Sequence, residues 1–146
     1  MIDPTVYLAG YIAGEVLDKC REWREFCKQE EPTWNWIDPL TGKDLSSITP
    51  DGCGSSIPHS VIFARDFQSV SRAHMLLGNI DTFGCVRPPL GTYSEIAWSY
   101  VQRKPVLLLS TDQRIRQHPF ITGQAAFVGS TVPEIMAMAR YIALGL

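Results

Sequence analysis

The sequence predicts an α/β protein in which helices cover both faces of a parallel β-sheet. Two observations predict this fold class. Short apolar runs bounded by glycine or proline are typical of buried strands, and they alternate along the chain with segments whose apolar residues recur at helical spacing. The chain has 146 residues, of which 45% are hydrophobic, which is enough to form one core. We therefore expect a single domain over residues 1–146.

The first part of the chain predicts a strand, a helix and a second strand, in that order. Thr5–Ala9 is a short apolar run that ends at Gly10, so we expect a buried strand there. Residues 15–30 repeat apolar residues at helical spacing, which predicts an amphipathic helix that ends before Pro32. The charged residues expected to face outward on this helix are Arg21, Glu22, Arg24, Glu25 and Lys28. Residues 34–38 predict the second strand.

Three more helices and three more strands are predicted beyond residue 40. The helices cover residues 60–72, 92–102 and 131–144, and the strands cover residues 75–80, 105–109 and 127–128. Thr131 and Glu134 have the spacing of a capping box, which marks the start of the last helix. Residues 40–59 and 81–90 are loops rich in glycine, proline and polar residues. A loop as long as the first is more often functional than a simple connection.

Small and polar residues follow the predicted strands, at the edge of the sheet where parallel α/β proteins bind ligands. Gly10 and Tyr11 follow the first strand, and Asp38 ends the second. Gly91 and Thr92 lie in the turn that begins the third helix. We therefore expect these five residues to contribute to a binding site.

The composition excludes several classes of function. The net charge is −2 with both signs interspersed, so the basic stripe of a nucleic-acid-binding protein is absent. No apolar run approaches the ~20 residues of a membrane span, and the N-terminus lacks the pattern of a secretory signal. The four cysteines and three histidines lack metal-ligand spacing. We expect a cytoplasmic protein that binds neither nucleic acid nor membrane and uses no metal or other cofactor.

Several reactive or aromatic side chains are expected to be structural. Cys20 and Cys27 fall one heptad apart on the first helix, so we expect buried thiols. His74 opens an apolar strand and is expected to be a hydrogen-bonded structural histidine. Trp34 and Trp36 lie two residues apart on a strand and face the same side, where we expect a core.

Glu95 is the most informative residue of the chain. It follows a turn of small residues, in the first turn of the predicted third helix, just before a fully apolar strand. A helix N-terminus keeps a carboxylate ionised, so Glu95 is a candidate nucleophile at the ligand edge. The alternative is a capping box with Thr92, in which the Glu95 carboxylate would only bind to the Thr92 backbone. The local spacing by itself favours the capping box.

Asp66 offers a second carboxylate, in Arg65-Asp66-Phe67. Two carboxylates in different environments can divide the chemistry at a glycosidic carbon, since one forms a glycosyl ester and the other protonates the leaving group. The alternative for Asp66 is a solvated ion pair with Arg65 or Arg72 on a helix face. Tyr7, on the first strand, is by default a core aromatic whose hydroxyl is satisfied.

Five short motifs occur in a fixed order along nearly the whole chain. They are Tyr7-Leu8-Ala9-Gly10, Arg65-Asp66-Phe67, Gly91-Thr92-x-x-Glu95, Lys104-Pro105-Val106 and His118-Pro119-Phe120. In this order they resemble the nucleoside 2-deoxyribosyltransferase family, in particular its small bacterial and phage members. The resemblance implies a flavodoxin-like three-layer sandwich with a central parallel sheet of about five strands. It also implies a retaining reaction on the N-glycosidic bond of a nucleoside or nucleotide, with transfer to a nucleobase or hydrolysis.

The resemblance implies a role for each matching residue. Glu95 matches the nucleophile of the family, Asp66 matches an acidic residue that assists the leaving base, and Tyr7 matches a tyrosine that orients the nucleophile. The family completes each site with a segment from a neighbouring subunit, which here would lie near His118. The resemblance therefore implies a homodimer or a higher homo-oligomer.

Three positions depart from the family pattern. Pro89 stands where the family has an aspartate or serine that contacts sugar hydroxyls or phosphate. His74 stands where an aspartate usually begins the third strand. Tyr11 and Ala13 follow Gly10 where members that use 5′-monophosphates tend to have serine and arginine, which favours an unphosphorylated substrate.

Two other functions compete with the enzyme. A non-catalytic module that senses a nucleotide or another ligand would tolerate Pro89, whereas the presence of both Glu95 and Asp66 favours the enzyme. A flavodoxin-like redox protein would need a flavin-phosphate loop, which the sequence lacks. In the enzyme and in the sensing module alike, the candidates to stack on a nucleobase are Tyr11, Phe83 and one of the two strand tryptophans.

Overall fold

A central sheet of five parallel strands organises the structure, a computed structural model that describes residues 2–41 and 57–146. The strands are β1 Thr5–Gly10, β2 Asn35–Ile37, β3 Met75–Asn79, β4 Val106–Leu109 and β5 Phe127–Gly129. Their order across the sheet is β2-β1-β3-β4-β5, which is the order of flavodoxin-like doubly wound folds. Gly10 pairs with Asn79, so β1 and β3 end at the same level.

Helices cover both faces of this sheet. In the described part of the chain they are α1 Leu17–Glu30, α2 His59–Arg72, α3 Leu90–Val101, the short α4 Gln113–Arg116 and α5 Pro119–Thr122, and α6 Val132–Ala143. Cys27 of α1 and Ile135 of α6 belong to the core on one face. Val70 of α2 and Ile96 of α3 belong to the core on the other face. The three layers confirm the predicted sandwich.

The central strands are continuous apolar runs because they are buried on both faces. In β1, Val6 and Leu8 enter the core shared with α1 and α6, whereas Tyr7 and Ala9 enter the core shared with α2 and α3. Successive side chains of a strand point to opposite faces, so a strand that is covered on both sides has no position for a solvated residue. Tyr7 thus brings a hydroxyl into an apolar layer, where it needs a partner.

The predicted helices and strands agree with the observed ones to within two residues at each end. Cys20 and Cys27 are free, buried thiols, as predicted. His74 is a structural histidine, since its Nδ1 accepts a hydrogen bond from the Thr5 amide at 2.8 Å.

Residues 42–56 of the predicted long loop lie outside the described residues. Within the residues that are described, no helix is long and apolar enough to cross a bilayer.

The predicted start of the third helix is wrong by two residues. Helix α3 begins at Leu90, its N-cap is Pro89, and the Pro89 carbonyl accepts from the Tyr93 amide at 3.1 Å. Thr92 is therefore inside the helix and makes no side-chain cap. Glu95 lies in the second turn, not the first, which excludes the capping box. It also weakens the helix-dipole argument for an ionised carboxylate, because that effect falls off within one turn.

The expectation that Arg24 faces solvent is also wrong. Arg24 is fully buried, although it lies among charged residues on the amphipathic helix α1. Its guanidinium lies 3.3 Å from the carboxylate of Asp38, which is itself buried at the end of β2. A helical pattern alone predicts that charged residues face solvent. It cannot include a partner such as Asp38, which lies 14 residues later at the end of a strand. Lys28, one turn further along, is half-buried for the same reason and lies 2.7 Å from Asp38.

Candidate active site

A cleft opens at the carboxyl ends of β1 and β3, where the strand order reverses and doubly wound sheets bind their ligands. Its volume is about 260 Å³. Gly10 and Tyr11 line it from the end of β1, and Asp66 lines it from α2. The first two turns of α3 supply Gly91, Thr92 and Glu95.

Tyr7 and Glu95 form a buried hydrogen-bonded pair at the floor of this cleft. The Tyr7 hydroxyl donates to Oε2 of Glu95 across 88 residues of sequence. Tyr7 is fully buried, and Glu95 keeps 7% of its surface exposed, on the cleft side. Burial raises the pKa of Tyr7 far above its ordinary value, and the charges of Glu95 and Asp66 raise it further. Tyr7 is therefore a neutral donor that fixes the orientation of the carboxylate.

Asp66 forms an ion pair and also lines the cleft. The Arg65 guanidinium lies 3.0 Å from its carboxylate, which is the predicted ion pair. The same guanidinium donates to the carbonyl of Pro39 at 2.9 Å, so it ties the middle of α2 to the end of β2. Asp66 nevertheless lines the cleft, and its charge acts on Tyr7.

An aromatic cluster forms the wall of the cleft between α2 and α3. Phe63 and Phe67 each make an edge-to-face contact with Trp98, with ring centroids 5.0 and 5.2 Å apart. Phe63 and Trp98 line the cleft. This wall was not predicted from the sequence, although a signal was present. Phe63 precedes Asp66 by three residues and Trp98 follows Glu95 by three, and this spacing puts both pairs on one helix face.

Arg87 is a second residue that the sequence analysis missed. It lines the cleft, donates from Nη2 to the carbonyl of Ile12 at 2.8 Å and stacks its guanidinium 4.5 Å from the ring centre of Tyr11. Tyr11 was a candidate to stack on a nucleobase. Its ring is 2% exposed and Arg87 covers one of its faces, so Tyr11 supports the guanidinium instead of offering an open surface.

The other predicted binding residues divide between the cleft and its surroundings. Gly10 is required by close packing, because a Cβ there would lie 2.7 Å from Cζ2 of Trp23. Asp38 lies outside the described lining of the cleft and is held by Arg24 and Lys28. His118 caps the short helix α5 and lines a separate cavity formed by residues of α3, α4 and α5. Phe83 lies in a neighbouring cavity.

Solved structures share the fold of this chain, whereas no protein-family model and no curated protein sequence matches it. A conserved protein from Enterococcus faecalis V583 aligns with a TM-score of 0.71 and 17% identity over 93% of this chain and 96% of that one. The 2-deoxyribosyltransferase of Bacillus psychrosaccharolyticus aligns with a TM-score of 0.67 and 21% identity over 90% of each chain. The chain has the nucleoside 2-deoxyribosyltransferase fold.

The CMP N-glycosidase of Clostridium botulinum has the same fold, with a TM-score of 0.58 and 15% identity over 94% of this chain and 98% of that one. The deoxyribosyltransferase fold thus extends over nearly the whole of each compared chain. The fold that the five sequence motifs implied is confirmed, and the cleft lies where that fold places the ends of its central strands.

The raised pKa of Tyr7 predicts a specific loss of stability in alkali. The folded protein retains the Tyr7 proton at a pH where the unfolded chain releases it, so the stabilisation is complete below about pH 10 and is lost above it. In urea unfolding, the stability difference between wild type and Tyr7→Phe should shrink by about 1.4 kcal/mol between pH 9 and pH 11. Tyr141→Phe is the control, since Tyr141 is 76% exposed. A difference that stays constant with pH would contradict the burial argument.

Proposed function

We propose that the protein is an enzyme that cleaves the N-glycosidic bond of a nucleoside or nucleotide, with Glu95 as the nucleophile. The observation that carries this proposal is the hydrogen bond from Tyr7 to Glu95 at the floor of a cleft that Asp66 also lines. A neutral, buried donor holds the carboxylate in one orientation. The fold shared with a 2-deoxyribosyltransferase and a CMP N-glycosidase supports the same reaction class.

The first half-reaction transfers the sugar to the enzyme. Cleavage of the C1′–N bond builds positive charge on the sugar, which an adjacent carboxylate stabilises. The electron pair of that bond leaves with the base, and an oxygen of Glu95 forms a bond to C1′ to give a glycosyl ester. In the second half-reaction, water or a second base attacks C1′ and the Glu95 carboxylate departs. Transfer and hydrolysis therefore share one intermediate.

The aromatic wall and Asp66 together suit a nucleobase. The edge-to-face cluster of Phe63, Phe67 and Trp98 gives the cleft an apolar side. Aromatic rings make favourable stacked or edge-to-face contacts with one another, so this side suits the ring of a nucleobase. Asp66 lies on the same helix as Phe63, one turn away, with its carboxylate beside Arg65. The oxygens of a carboxyl group accept hydrogen bonds, so we propose that Asp66 orients the leaving base through one of the N–H groups of that base.

A ligand-sensing module is the second candidate function, and Pro89 favours it. Pro89 is buried in the cleft lining at the position where the family pattern has a polar residue for the sugar. Incubation of the protein with nucleosides and their 5′-monophosphates, with and without an acceptor base, separates the two functions. The monophosphates belong in this panel because Arg87 lines the cleft. Saturable binding without turnover of any substrate would favour the sensor.

Glu95→Gln should abolish detectable turnover and leave the fold intact. The amide can still accept from the Tyr7 hydroxyl, so the free energy of unfolding should change by about 1 kcal/mol, the contribution of one hydrogen bond. Glu22→Gln, a neutralisation on the exposed face of α1, is the matched control and should retain full activity. Turnover of Glu95→Gln at the wild-type rate would eliminate Glu95 as the nucleophile.

Asp66→Asn should reduce kcat/KM by about 10- to 100-fold, which corresponds to one hydrogen bond to a charged group. The loss should be smaller than that of Glu95→Gln and similar for bases that leave easily and bases that leave poorly. The measurement is kcat/KM on two substrates that differ in the leaving ability of the base. A deficit that grows strongly with the poorer leaving group would instead make Asp66 a proton donor, because acid catalysis matters most there.

We also propose that a second subunit completes the cleft. His118 and Phe120 are exposed, Phe120 at 76%, and they lie outside the cleft of their own chain. Sedimentation at assay concentrations should show a dimer or a larger assembly. Mixing inactive Glu95→Gln with an inactive Phe120→Ala variant should restore part of the activity, since a mixed dimer contains one intact site. Full activity in a monomer would contradict a shared site.

A further inference from the structure

The three histidines of the chain differ in what holds their rings. Nδ1 of His74 accepts from the Thr5 amide at 2.8 Å, and Nδ1 of His118 accepts from the Phe120 amide at 3.2 Å. His59 is different, because it is the exposed first residue of α2 and it lines the cleft. Among the described residues, no hydrogen bond or ion pair engages its imidazole. Both ring nitrogens are therefore available to a bound molecule.

His59 begins the face that α2 presents to the cleft. Ile62, Phe63 and Asp66 line the cleft from the same helix. Phe63 lies four residues after His59 and three before Asp66, and this spacing puts all three on one helical face. His59 and Asp66 are about 10 Å apart along the helix axis, with the Phe63 ring and its partner Trp98 between them. A base that packs against this ring has the imidazole on one side and the carboxyl group on the other.

The proposed reaction needs a proton for the leaving base, and other groups of the site are poorly suited to give it. Asp66 accepts a hydrogen bond from Arg65 at 3.1 Å, and its proposed role toward the base is also that of an acceptor. Tyr7 donates to Glu95, and its raised pKa makes it a very weak acid. Arg87 lines the cleft, but a guanidinium keeps its proton in proteins. Histidine is the side chain whose ring both gives and takes a proton near neutral pH.

We propose that His59 is a catalytic residue that protonates the leaving base. This inference rests on the proposed function of Glu95. As the C1′–N bond breaks, its electron pair moves onto the base, and a nitrogen or oxygen of the base takes the proton of the His59 imidazolium. An oxygen of Glu95 forms the bond to C1′ in the same step. The base leaves as a neutral molecule, and His59 remains as a neutral imidazole.

The second half-reaction returns the proton to His59. Water, or an N–H group of an acceptor base, gives its proton to the neutral imidazole as its oxygen or nitrogen attacks C1′. The bond from C1′ to the Glu95 oxygen breaks, and the electron pair returns to the carboxylate. One side chain thus serves first as an acid and then as a base, as in retaining glycosidases.

An acid and a group with a structural or binding role differ in how their loss depends on the leaving base. Loss of a structural group or a binding contact lowers kcat/KM by a similar factor for closely related bases. Loss of the acid costs most when the base leaves poorly, and little when the base needs no proton. An N7-methylated purine needs none, because it carries a positive charge in the nucleoside and leaves as a neutral molecule. The unmethylated purine leaves as an anion unless it is protonated.

The experiment measures kcat/KM of His59→Gln on a purine nucleoside and on its N7-methylated form with the same sugar. Glutamine keeps a polar side chain but cannot transfer a proton to the base. We expect a loss of about 100-fold or more on the unmethylated nucleoside and of less than about 10-fold on the methylated one. If the wild type cleaves only pyrimidine nucleosides, a uracil nucleoside and its 5-nitro form replace this pair, since the nitro group makes uracil a better leaving group.

Ser60→Gln is the matched control, because Ser60 is the next residue of α2, is exposed and lies outside the described lining of the cleft. This variant should keep the wild-type kcat/KM on both substrates. Equal losses of His59→Gln on the two substrates overturn the proposal. A dependence on the leaving base that appears in Asp66→Asn and not in His59→Gln also overturns it, since Asp66 is then the proton donor.

A second measurement tests the contact between His59 and the base without turnover. The unmethylated nucleoside is titrated into Glu95→Gln, and the ring-proton NMR signals of His59 are assigned by their absence when His59→Gln is added to this variant. These signals should shift with saturation, whereas those of His74, held by Thr5, should stay in place. Bound nucleoside that leaves the His59 signals unmoved overturns the proposal. Wild-type turnover with equal losses in His59→Gln refutes this proposal alone, whereas the absence of any turnover refutes the proposed function and the protonation step together.

Discussion

The hydrogen bond between Tyr7 and Glu95 is the constraint on which the arrangement of the site depends. It joins the central strand β1 to helix α3 and closes a span of 88 residues. Both partners lie at the boundary of an otherwise apolar layer, where a hydroxyl or carboxylate without a partner would destabilise the fold. The pair therefore fixes the position of α3 over the ends of β1 and β3. Residues of the first two turns of α3 then line the cleft at those ends.

The groups around the Tyr7–Glu95 pair differ in charge and in burial. The Tyr7 side is neutral, since burial keeps the phenol protonated. At the mouth of the cleft, Asp66 is balanced by Arg65, where solvent screens the pair. Beneath the floor, Arg24 is buried with a counterion that it shares. In a medium of low dielectric, that buried charge acts over a longer distance than the exposed pair does.

The fold was predictable from the sequence because its strands are buried on both faces. Runs such as 105–109 contain only apolar residues and proline, and a local pattern is enough to recognise them. The start of α3 was not predictable in the same way, since it depends on the Pro89 carbonyl and uses no side-chain cap. Arg24 was missed for a different reason. Its burial depends on the ion pair with Asp38, and a local pattern within one helix does not show a contact with a residue outside that helix.

The lining of the cleft was predictable where its residues lie at the ligand edge of the sheet or in a recognisable motif. Gly91 and Thr92 lie at the start of α3, whereas Asp66 in the middle of α2 and Glu95 in the second turn of α3 were singled out by the ordered motifs. Arg87 follows no such rule, since it lies in an irregular loop and is oriented by Tyr11 and by the carbonyl of Ile12.

Under the proposed function, Pro89 cannot bind a sugar through a polar side chain, so we expect other groups to recognise it. Pro89 has no side-chain donor, and its carbonyl already accepts from the Tyr93 amide. The Ser94 hydroxyl, which also lines the cleft, donates to the Leu90 carbonyl at 3.1 Å. Thr92 and Arg87 also line the cleft, and Arg87 brings a positive charge. Its guanidinium lies 4.5 Å from the ring centre of Tyr11 and donates to the carbonyl of Ile12, so this charge is held in the lining of the cleft. Under the proposed function, such a charge favours a substrate with an electron-rich oxygen.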